Sequence, residues 1–70
     1  MKISARNQLS GTVKSVTAGA VMSEVVVELD GGQEVVAAIT AESARSLGLA
    51  AGSKVVAIIK STEVMVAVED

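Results

Sequence analysis

Two short polar clusters near opposite ends of the chain combine a fixed positive charge with hydroxyl or amide donors. The first cluster is Ser4–Gln8, which contains Arg6, and the second is Lys60–Thr62. A tetrahedral oxyanion offers only hydrogen-bond acceptors, so its site needs guanidinium, ammonium, hydroxyl and backbone N–H donors. If folding brings the two clusters together, they form a positively charged pocket suited to a small oxyanion.

The spacing within each cluster fits such a pocket. Ser4 and Arg6 are two residues apart, so their side chains project to the same side of an extended segment. Lys60 and Ser61 follow a predicted strand, where backbone amides leave the sheet and become free to bind a ligand. The competing interpretation is that these cations are ordinary surface charges and that Ser61–Thr62 is only a turn. Composition alone favours that plainer interpretation.

The residue types present argue against catalysis. The chain has no histidine and no cysteine, so a serine has no imidazole base to activate it and the usual metal ligands are missing. Neither a G-x-x-x-x-G-K-[ST] nor a G-x-G-x-x-G phosphate loop occurs. A Lys60–Ser61 pair is the remaining catalytic arrangement, and no oxyanion-hole motif accompanies it. We expect a protein that binds a ligand and is not an enzyme.

Length and composition indicate one small domain, residues 1–70, that associates with other copies. A chain of 70 residues buries only about 60% of its unfolded surface, and it has no disulfide to stabilise it. Small domains of this kind usually gain stability by association. No apolar run approaches the roughly 18 residues of a membrane span, and the start does not resemble a signal peptide. We therefore expect a cytoplasmic protein.

The net charge and the lack of aromatic residues disfavour nucleic-acid binding. The formal net charge is −2 and the aromatic content is zero. Binding to nucleic acid depends on neutralising phosphates and, for single strands, on stacking bases against aromatic rings. A nucleic-acid-binding module is therefore the weaker of the two binding hypotheses.

Glycines that divide the sequence into short segments, together with alternating apolar residues, predict five strands. One short helix is predicted between the third and fourth strands. The predicted strands are Gly11–Thr17, Met22–Leu29, Glu34–Ile39, Val55–Ile59 and Glu63–Val68. This order is typical of an all-β fold, an OB-like five-stranded Greek-key barrel. The third, fourth and fifth strands are apolar on both faces, and a small barrel buries only one of them. The second face predicts contact with another copy.

Local signals refine this prediction. The three-residue spacing of Val13 and Val16 indicates a bulge in the first strand, and Asp30–Gln33 with its two glycines predicts a hairpin turn. Thr40 is a good N-cap for the helix, and Gly48 suits its end. The helix residues expected to face the sheet are Ala41, Ala44 and Leu47.

Five sequence blocks, in this order, resemble the molbindin (Mop) family. They are S-A-R-N-Q at Ser4–Gln8, G-x-V at Gly11–Val13, I-T-x-E-S at Ile39–Ser43, L-G-L-x-x-G at Leu47–Gly52 and A-x-I-K-[ST]-T-x-V-M at Ala57–Met65. The resemblance covers nearly the whole chain. It implies an OB-like fold, a hexamer built as a trimer of dimers, and molybdate or tungstate bound at subunit interfaces for intracellular storage or homeostasis.

The resemblance also implies which residues bind the oxyanion. The ligands carried over from the first and last blocks are Ser4, Arg6, Lys60 and Ser61, and Thr40 of the third block is a further one. A second class of site, near a threefold axis and made mostly of backbone groups, is assigned to the stretch Gly19, Ala20, Val21 and Met22. The alternative function is a structural or ligand-sensing oligomerisation module derived from a larger molybdate-responsive regulator or transporter.

Overall fold

The computed structural model describes all residues from Met1 to Asp70 and shows a curled, four-stranded antiparallel sheet with one short helix. The strand order in the sheet is β3-β2-β1-β4, so β3 and β4 are its edges. A 3₁₀ turn follows the last strand at Ser61–Glu63. In chain order the elements are β1 (Asn7–Ala18), β2 (Met22–Leu29), β3 (Glu34–Thr40), α1 (Ala41–Ser46) and β4 (Lys54–Ile59).

The bulge predicted from the valine spacing is confirmed in β1. Val13 pairs with Val27 of β2, but Ser15 pairs with Val26, so Lys14 is the extra residue. The bulge keeps Val13 in the core and increases the local twist and bend of β1. The Lys14 ammonium donates to the Glu34 carboxylate at the surface. This hydrogen bond, followed by the Coulombic attraction of the same carboxylate, raises the pKa of Lys14.

The core is small and entirely aliphatic. Val13, Val25 and Val27 form its buried centre, and the helix closes one end with two buried alanines, Ala41 and Ala44. The helix begins at the predicted cap and ends before Gly48, whose φ of 64° lies in the left-handed region. Leu47, also predicted to face the sheet, is the C-cap residue and lines an apolar groove together with sheet residues, but it stays 69% exposed.

The prediction of a fifth strand is also wrong for this chain, which forms four strands. Val64 has extended backbone angles, and the residues from Val64 to Val68 pair with no neighbouring strand. A strand is defined by its hydrogen bonds to a neighbouring strand. The two edge strands that could accept this segment are β3 and β4, and the segment pairs with neither. The segment is rich in valine and favours extended structure, but a strand also needs hydrogen bonds to a sheet edge, and the segment makes none with β3 or β4.

Gly11 occupies a crowded backbone position of β1, between β2 and β4. A Cβ atom there would lie 2.5 Å from the Glu28 carbonyl oxygen and 2.8 Å from Val27 Cγ1. We expect Gly11→Ala to lower the free energy of unfolding by about 1–3 kcal/mol, because the strands must separate to admit the methyl group. Urea denaturation at a fixed protein concentration measures this loss.

Gly31→Ala is the matched control for that experiment. Gly31 has no heavy atom within 4 Å of an added Cβ, and its φ is not positive. We expect the control to be neutral or slightly stabilising, since alanine restricts the unfolded chain. Equal losses in the two variants would show that steric crowding at Gly11 is not the cause.

Candidate functional site

The pairing of β1 with β4 brings the two polar clusters of one chain to the same end of the sheet. Asn7 is the first paired residue of β1, and it lies opposite Ile59, the last residue of β4. Because the strands are antiparallel, the residues before Asn7 and those after Ile59 leave the sheet side by side. Arg6 and Lys60 are therefore the next residues on the two neighbouring chain segments.

Two side-chain amides hold this end of the sheet in shape. Asn7 Nδ2 donates to the Ile59 carbonyl oxygen at 3.1 Å, which ties the start of β1 to the end of β4. Gln8 Nε2 donates to the Ala5 carbonyl oxygen at 2.7 Å, which folds the N-terminal segment back on the strand. Sequence reasoning included both residues in the first cluster but gave them no role. The signal in the sequence that could have indicated their role is the pair of amide side chains, Asn7 and Gln8, where the first strand begins.

The second cluster forms a tight turn whose leading amides are not used by the turn itself. Glu63 donates its amide to the Lys60 carbonyl at 2.9 Å, and Val64 donates to the Ser61 carbonyl at 3.4 Å. The amides of Ser61 and Thr62 precede these donors and have no acceptor within the turn. The turn therefore presents backbone N–H groups next to the Lys60 ammonium and the serine hydroxyl.

The cations of the candidate site are free of internal partners. Ser4, Arg6, Lys60 and Ser61 are all exposed, and none of their side chains makes a hydrogen bond within the chain. The one ion pair of the protein joins Lys14 to a glutamate elsewhere. Arg6 and Lys60 therefore form no ion pair within the chain, although Glu63 lies in the same turn as Ser61, and unpaired cations favour binding of an anion.

The arrangement supplies donors for an oxyanion and little else. No group of three acidic side chains comes together as a metal site would require. Two cations, two serine hydroxyls and free amides supply hydrogen-bond donors of the kinds that charged acceptors bind most strongly.

The structure contains no helix with the length and hydrophobicity needed to cross a membrane.

Thr40 is not brought to this cluster within one chain. It lies at the end of β3, opposite Met22 at the start of β2, and these residues belong to the other end of the sheet. Its hydroxyl accepts the Ser43 amide at 3.0 Å and donates to Ser43 Oγ at 2.7 Å. The side chain is therefore engaged as the N-cap of the helix. A role in binding stays a prediction that needs Thr40 from another copy.

We expect Thr40→Ala to lower the free energy of unfolding by about 1 kcal/mol, the usual contribution of a threonine N-cap. The loss arises because the Ser43 amide is left without its acceptor at the start of the helix. Thermal unfolding of the variant measures it, with Thr17→Ala as the control. Thr17 is an exposed threonine on β1, so an equal loss in both variants would contradict a capping role.

The stretch predicted as a second site forms the connection between β1 and β2. Gly19, Ala20 and Val21 follow the last residue of β1, and their three consecutive amides donate no hydrogen bond to the backbone. An added Cβ at Gly19 would lie 2.4 Å from the Met22 carbonyl oxygen, so the turn is too tight for a side chain there. The free amides fit a backbone-lined site, and its assignment stays a prediction.

Comparisons with known proteins converge on one family. Residues 3–66 match the family described as TOBE domain. Molybdenum-pterin-binding protein 3 of Clostridium pasteurianum is 48% identical over 66 residues, which cover 94% of this chain and 97% of the relative. The solved structure of MopII from Clostridium pasteurianum superposes with a TM-score of 0.91 at 42% identity, covering 96% of this chain and all of that one.

A third relative was solved with its ligand. The cytoplasmic molybdate-binding protein ModG, in a form with molybdate bound, superposes with a TM-score of 0.84 at 56% identity. The match covers 87% of this chain and 43% of ModG. The fold and the order of its elements are therefore shared with proteins described as binding molybdenum or molybdate.

Proposed function

The chain belongs to the TOBE-domain family and to its small molybdenum-pterin-binding (Mop) members, and from this premise we propose that it binds molybdate without catalysing a reaction. The observation that supports the proposal is the pairing of Asn7 with Ile59, because the segment of Ser4 and Arg6 and the segment of Lys60 and Ser61 both leave the sheet at that end of the β1–β4 ladder. The two cations there have no internal partner. The two positive charges of Arg6 and Lys60 balance the two negative charges of molybdate, and the serine hydroxyls can donate hydrogen bonds to its oxygen atoms.

The energetics of these donors are adequate for a specific site. Hydrogen bonds to charged groups contribute about 1.5–3 kcal/mol each, compared with about 0.5–1.5 kcal/mol for neutral pairs. The guanidinium of Arg6 offers a planar fork and the ammonium of Lys60 a compact point charge. The serine hydroxyls and the amides of the 3₁₀ turn add direction. Together they favour a small tetrahedral anion over an extended organic ligand.

The names of the relatives mention a pterin, and we propose inorganic molybdate as the ligand of this chain. A pterin is a flat aromatic ring, and proteins commonly bind such rings by stacking them against aromatic side chains. This chain has no phenylalanine, tyrosine or tryptophan. The donors at the end of the β1–β4 ladder fit oxygen atoms directly.

The proposal extends to assembly and to physiological role. We propose that 70-residue subunits, each a single domain, form a hexamer as a trimer of dimers and bind molybdate or tungstate at subunit interfaces. We further propose that the protein stores the oxyanion in the cytoplasm. The apolar residues exposed on both edge strands, including Val36 and Val56, support association. In such an assembly Thr40 and the turn Gly19–Met22 are contributed to sites by neighbouring copies.

Isothermal titration of the protein with molybdate, tungstate, sulfate and phosphate tests the proposal. We expect saturable binding of molybdate and tungstate, with sulfate and phosphate bound much more weakly. Binding of a molybdenum-loaded pterin without binding of the free oxyanion would overturn the choice of ligand. No heat with any of the four anions would favour a purely structural oligomerisation module.

A further inference from the structure

A cleft lies between the helix and the last residues of β1, and the proposed molybdate site does not use it. Its volume is about 450 Å³, near the lower end of the range of about 300–1,000 Å³ for small-molecule pockets. The only polar side chains that line the cleft belong to Ser23 and Arg45. Most of its wall is aliphatic and consists of Val16, Ala18, Ala41, Ala44 and Leu49.

The hydroxyl of Ser23 is a hydrogen-bonding group that the fold leaves unused. Ser23 is 3% exposed and is the one buried residue with a polar side chain, yet its hydroxyl makes no hydrogen bond within the chain. No unpartnered side-chain oxygen is sealed from solvent, so this hydroxyl reaches the open space of the cleft that it lines. Because buried hydroxyls are normally hydrogen-bonded, Ser23 is placed to bind a group that enters the cleft.

Arg45 supplies a positive charge at the same cleft. Its exposed side chain forms no ion pair within the chain, and none of the residues that line the cleft is acidic. A guanidinium presents a planar fork of N–H donors that matches the two oxygen atoms of a carboxylate. The cleft therefore offers two kinds of donor and one uncompensated positive charge.

The end of the helix, which also borders the cleft, has its carbonyl groups largely occupied. Gly48 donates its amide to the Arg45 carbonyl at 3.0 Å, and Leu49 donates to the Ala44 carbonyl at 3.1 Å. Free carbonyls at a helix C-terminus repel anions, so these bonds reduce that repulsion. They also hold Leu49 against the helix, and this wall of the cleft is therefore formed before any ligand binds.

The charge and the walls of the cleft define the class of ligand. A dianion such as molybdate would keep one charge unbalanced beside a single arginine, and it would lose hydration against aliphatic walls at a high free-energy cost. A monoanion with an aliphatic body avoids both costs. Its oxygen atoms accept hydrogen bonds from the guanidinium and the hydroxyl, and its carbon chain contacts the aliphatic wall.

We propose that this cleft binds a small aliphatic carboxylate, held by Arg45 and Ser23. The cleft is separate from the molybdate donors, because it lies against Ala18, the last residue of β1, whereas those donors flank Asn7, the first residue. It is also separate from the turn that precedes β2. Ser23 faces the core, whereas its neighbour Met22 is exposed on the other side of the strand.

Titration with sodium butyrate, followed through the NMR chemical shifts of the backbone amides, tests the proposal in the absence of molybdate. We expect saturable shifts at Ser23 and at residues 44–49, with millimolar affinity because so small a ligand makes few contacts. Acetate lacks the carbon chain and should bind several-fold more weakly. Butylammonium has the chain with the opposite charge and should not bind. Equal binding of butyrate and butylammonium, or no saturable shift at these residues, would overturn the proposal.

Two substitutions of arginine and lysine separate a specific contact from overall charge. We expect Arg45→Gln to weaken butyrate binding about tenfold or more, since it removes a charge-assisted hydrogen bond. Lys54→Gln is the matched control, because it removes the same charge from β4, outside the cleft, and it should bind butyrate normally. Equal weakening in the two variants would contradict a specific role for Arg45.

Two substitutions of serine separate binding from folding. Ser23→Ala should also weaken butyrate binding about tenfold, but its stability to urea without butyrate should not fall, since no bond within the chain is lost. Ser53→Ala removes the acceptor of the Ala50 amide, so this control should be less stable and should still bind butyrate normally. Unchanged butyrate binding by Ser23→Ala would overturn the proposal.

Competition with molybdate separates this proposal from the oxyanion site. We expect butyrate to shift the amides of residues 44–49 equally with and without saturating molybdate, whether or not the oxyanion binds elsewhere. Displacement of butyrate from these residues by molybdate would show that the cleft is a second oxyanion site and would overturn the choice of a carboxylate.

Discussion

Replacing both Arg6 and Lys60 with glutamine is expected to abolish molybdate binding in the micromolar range while leaving the fold intact. Each substitution removes a charge-assisted hydrogen bond, which corresponds to an affinity loss of about 10- to 150-fold. Both side chains are exposed and make no internal hydrogen bond or ion pair, so little stability depends on them. Titration calorimetry of the single and double variants measures the effect.

The control for this experiment is Arg45→Gln. Arg45 is an exposed cation on the helix, so its removal changes the net charge equally without touching the proposed site. We expect its affinity to stay close to that of the unmodified protein. If Arg45→Gln weakens binding as much as Arg6→Gln does, the anion responds to overall charge and the assignment of the site is wrong.

The same variants also decide whether one site draws on two copies. Chains carrying Arg6→Gln and chains carrying Lys60→Gln can be unfolded together and refolded as a mixture. If Arg6 and Lys60 of different chains share a site, random pairing restores about a quarter of the sites, because a mixed pair has one intact combination. Sites built within one chain would stay defective in the mixture. We expect no recovery, because the pairing of β1 with β4 brings Arg6 and Lys60 of the same chain to one end of the sheet.

Saturating molybdate is expected to raise the melting temperature by about 15–30 °C. A ligand at a thousand times its dissociation constant stabilises the native state by about 4.1 kcal/mol. In a domain of this size, each kcal/mol shifts the melting temperature by about 4–8 °C. The effect should be large because only seven of the 70 residues are buried in the isolated chain. Differential scanning calorimetry across a series of molybdate concentrations measures the shift.

The melting temperature should depend on both the molybdate concentration and the protein concentration. If the site exists only in the assembled protein, dilution should lower the melting temperature in the absence of molybdate and less so in its presence. The variant lacking both Arg6 and Lys60 should show no shift with the anion. An equal shift with phosphate at the same concentration would contradict selective binding.

Features determined by neighbouring residues could be predicted from the sequence. The bulge at Lys14, the strand Met22–Leu29 and the hairpin with Gly32 at positive φ all follow from local spacing and glycine chemistry. The Thr40 cap was predicted for the same reason, and the amide of Ser43 confirms it. Such signals act over a few residues, so no knowledge of the complete fold is needed.

Features that depend on distant partners could not be predicted in the same way. Residues 64–68 favour extended structure because three of the five are valines, but pairing requires an edge that belongs to another part of the sheet. Helical periodicity predicts that Leu47 faces the sheet, and Leu47 lines a groove with sheet residues, but periodicity does not predict that 69% of it stays exposed. The two donor clusters were found by residue type, whereas their meeting depends on the register of Asn7 with Ile59.

The most direct test of the central claim is the position of molybdenum in crystals grown with molybdate, located by its anomalous scattering. We expect a peak at the end of the β1–β4 ladder, with molybdate oxygens about 2.7–2.9 Å from nitrogen atoms of Arg6 and Lys60. Hydroxyl or amide donors from Ser4 and Ser61 should complete the shell. A molybdenum peak found only elsewhere on the protein, or no peak at saturating molybdate, would contradict it.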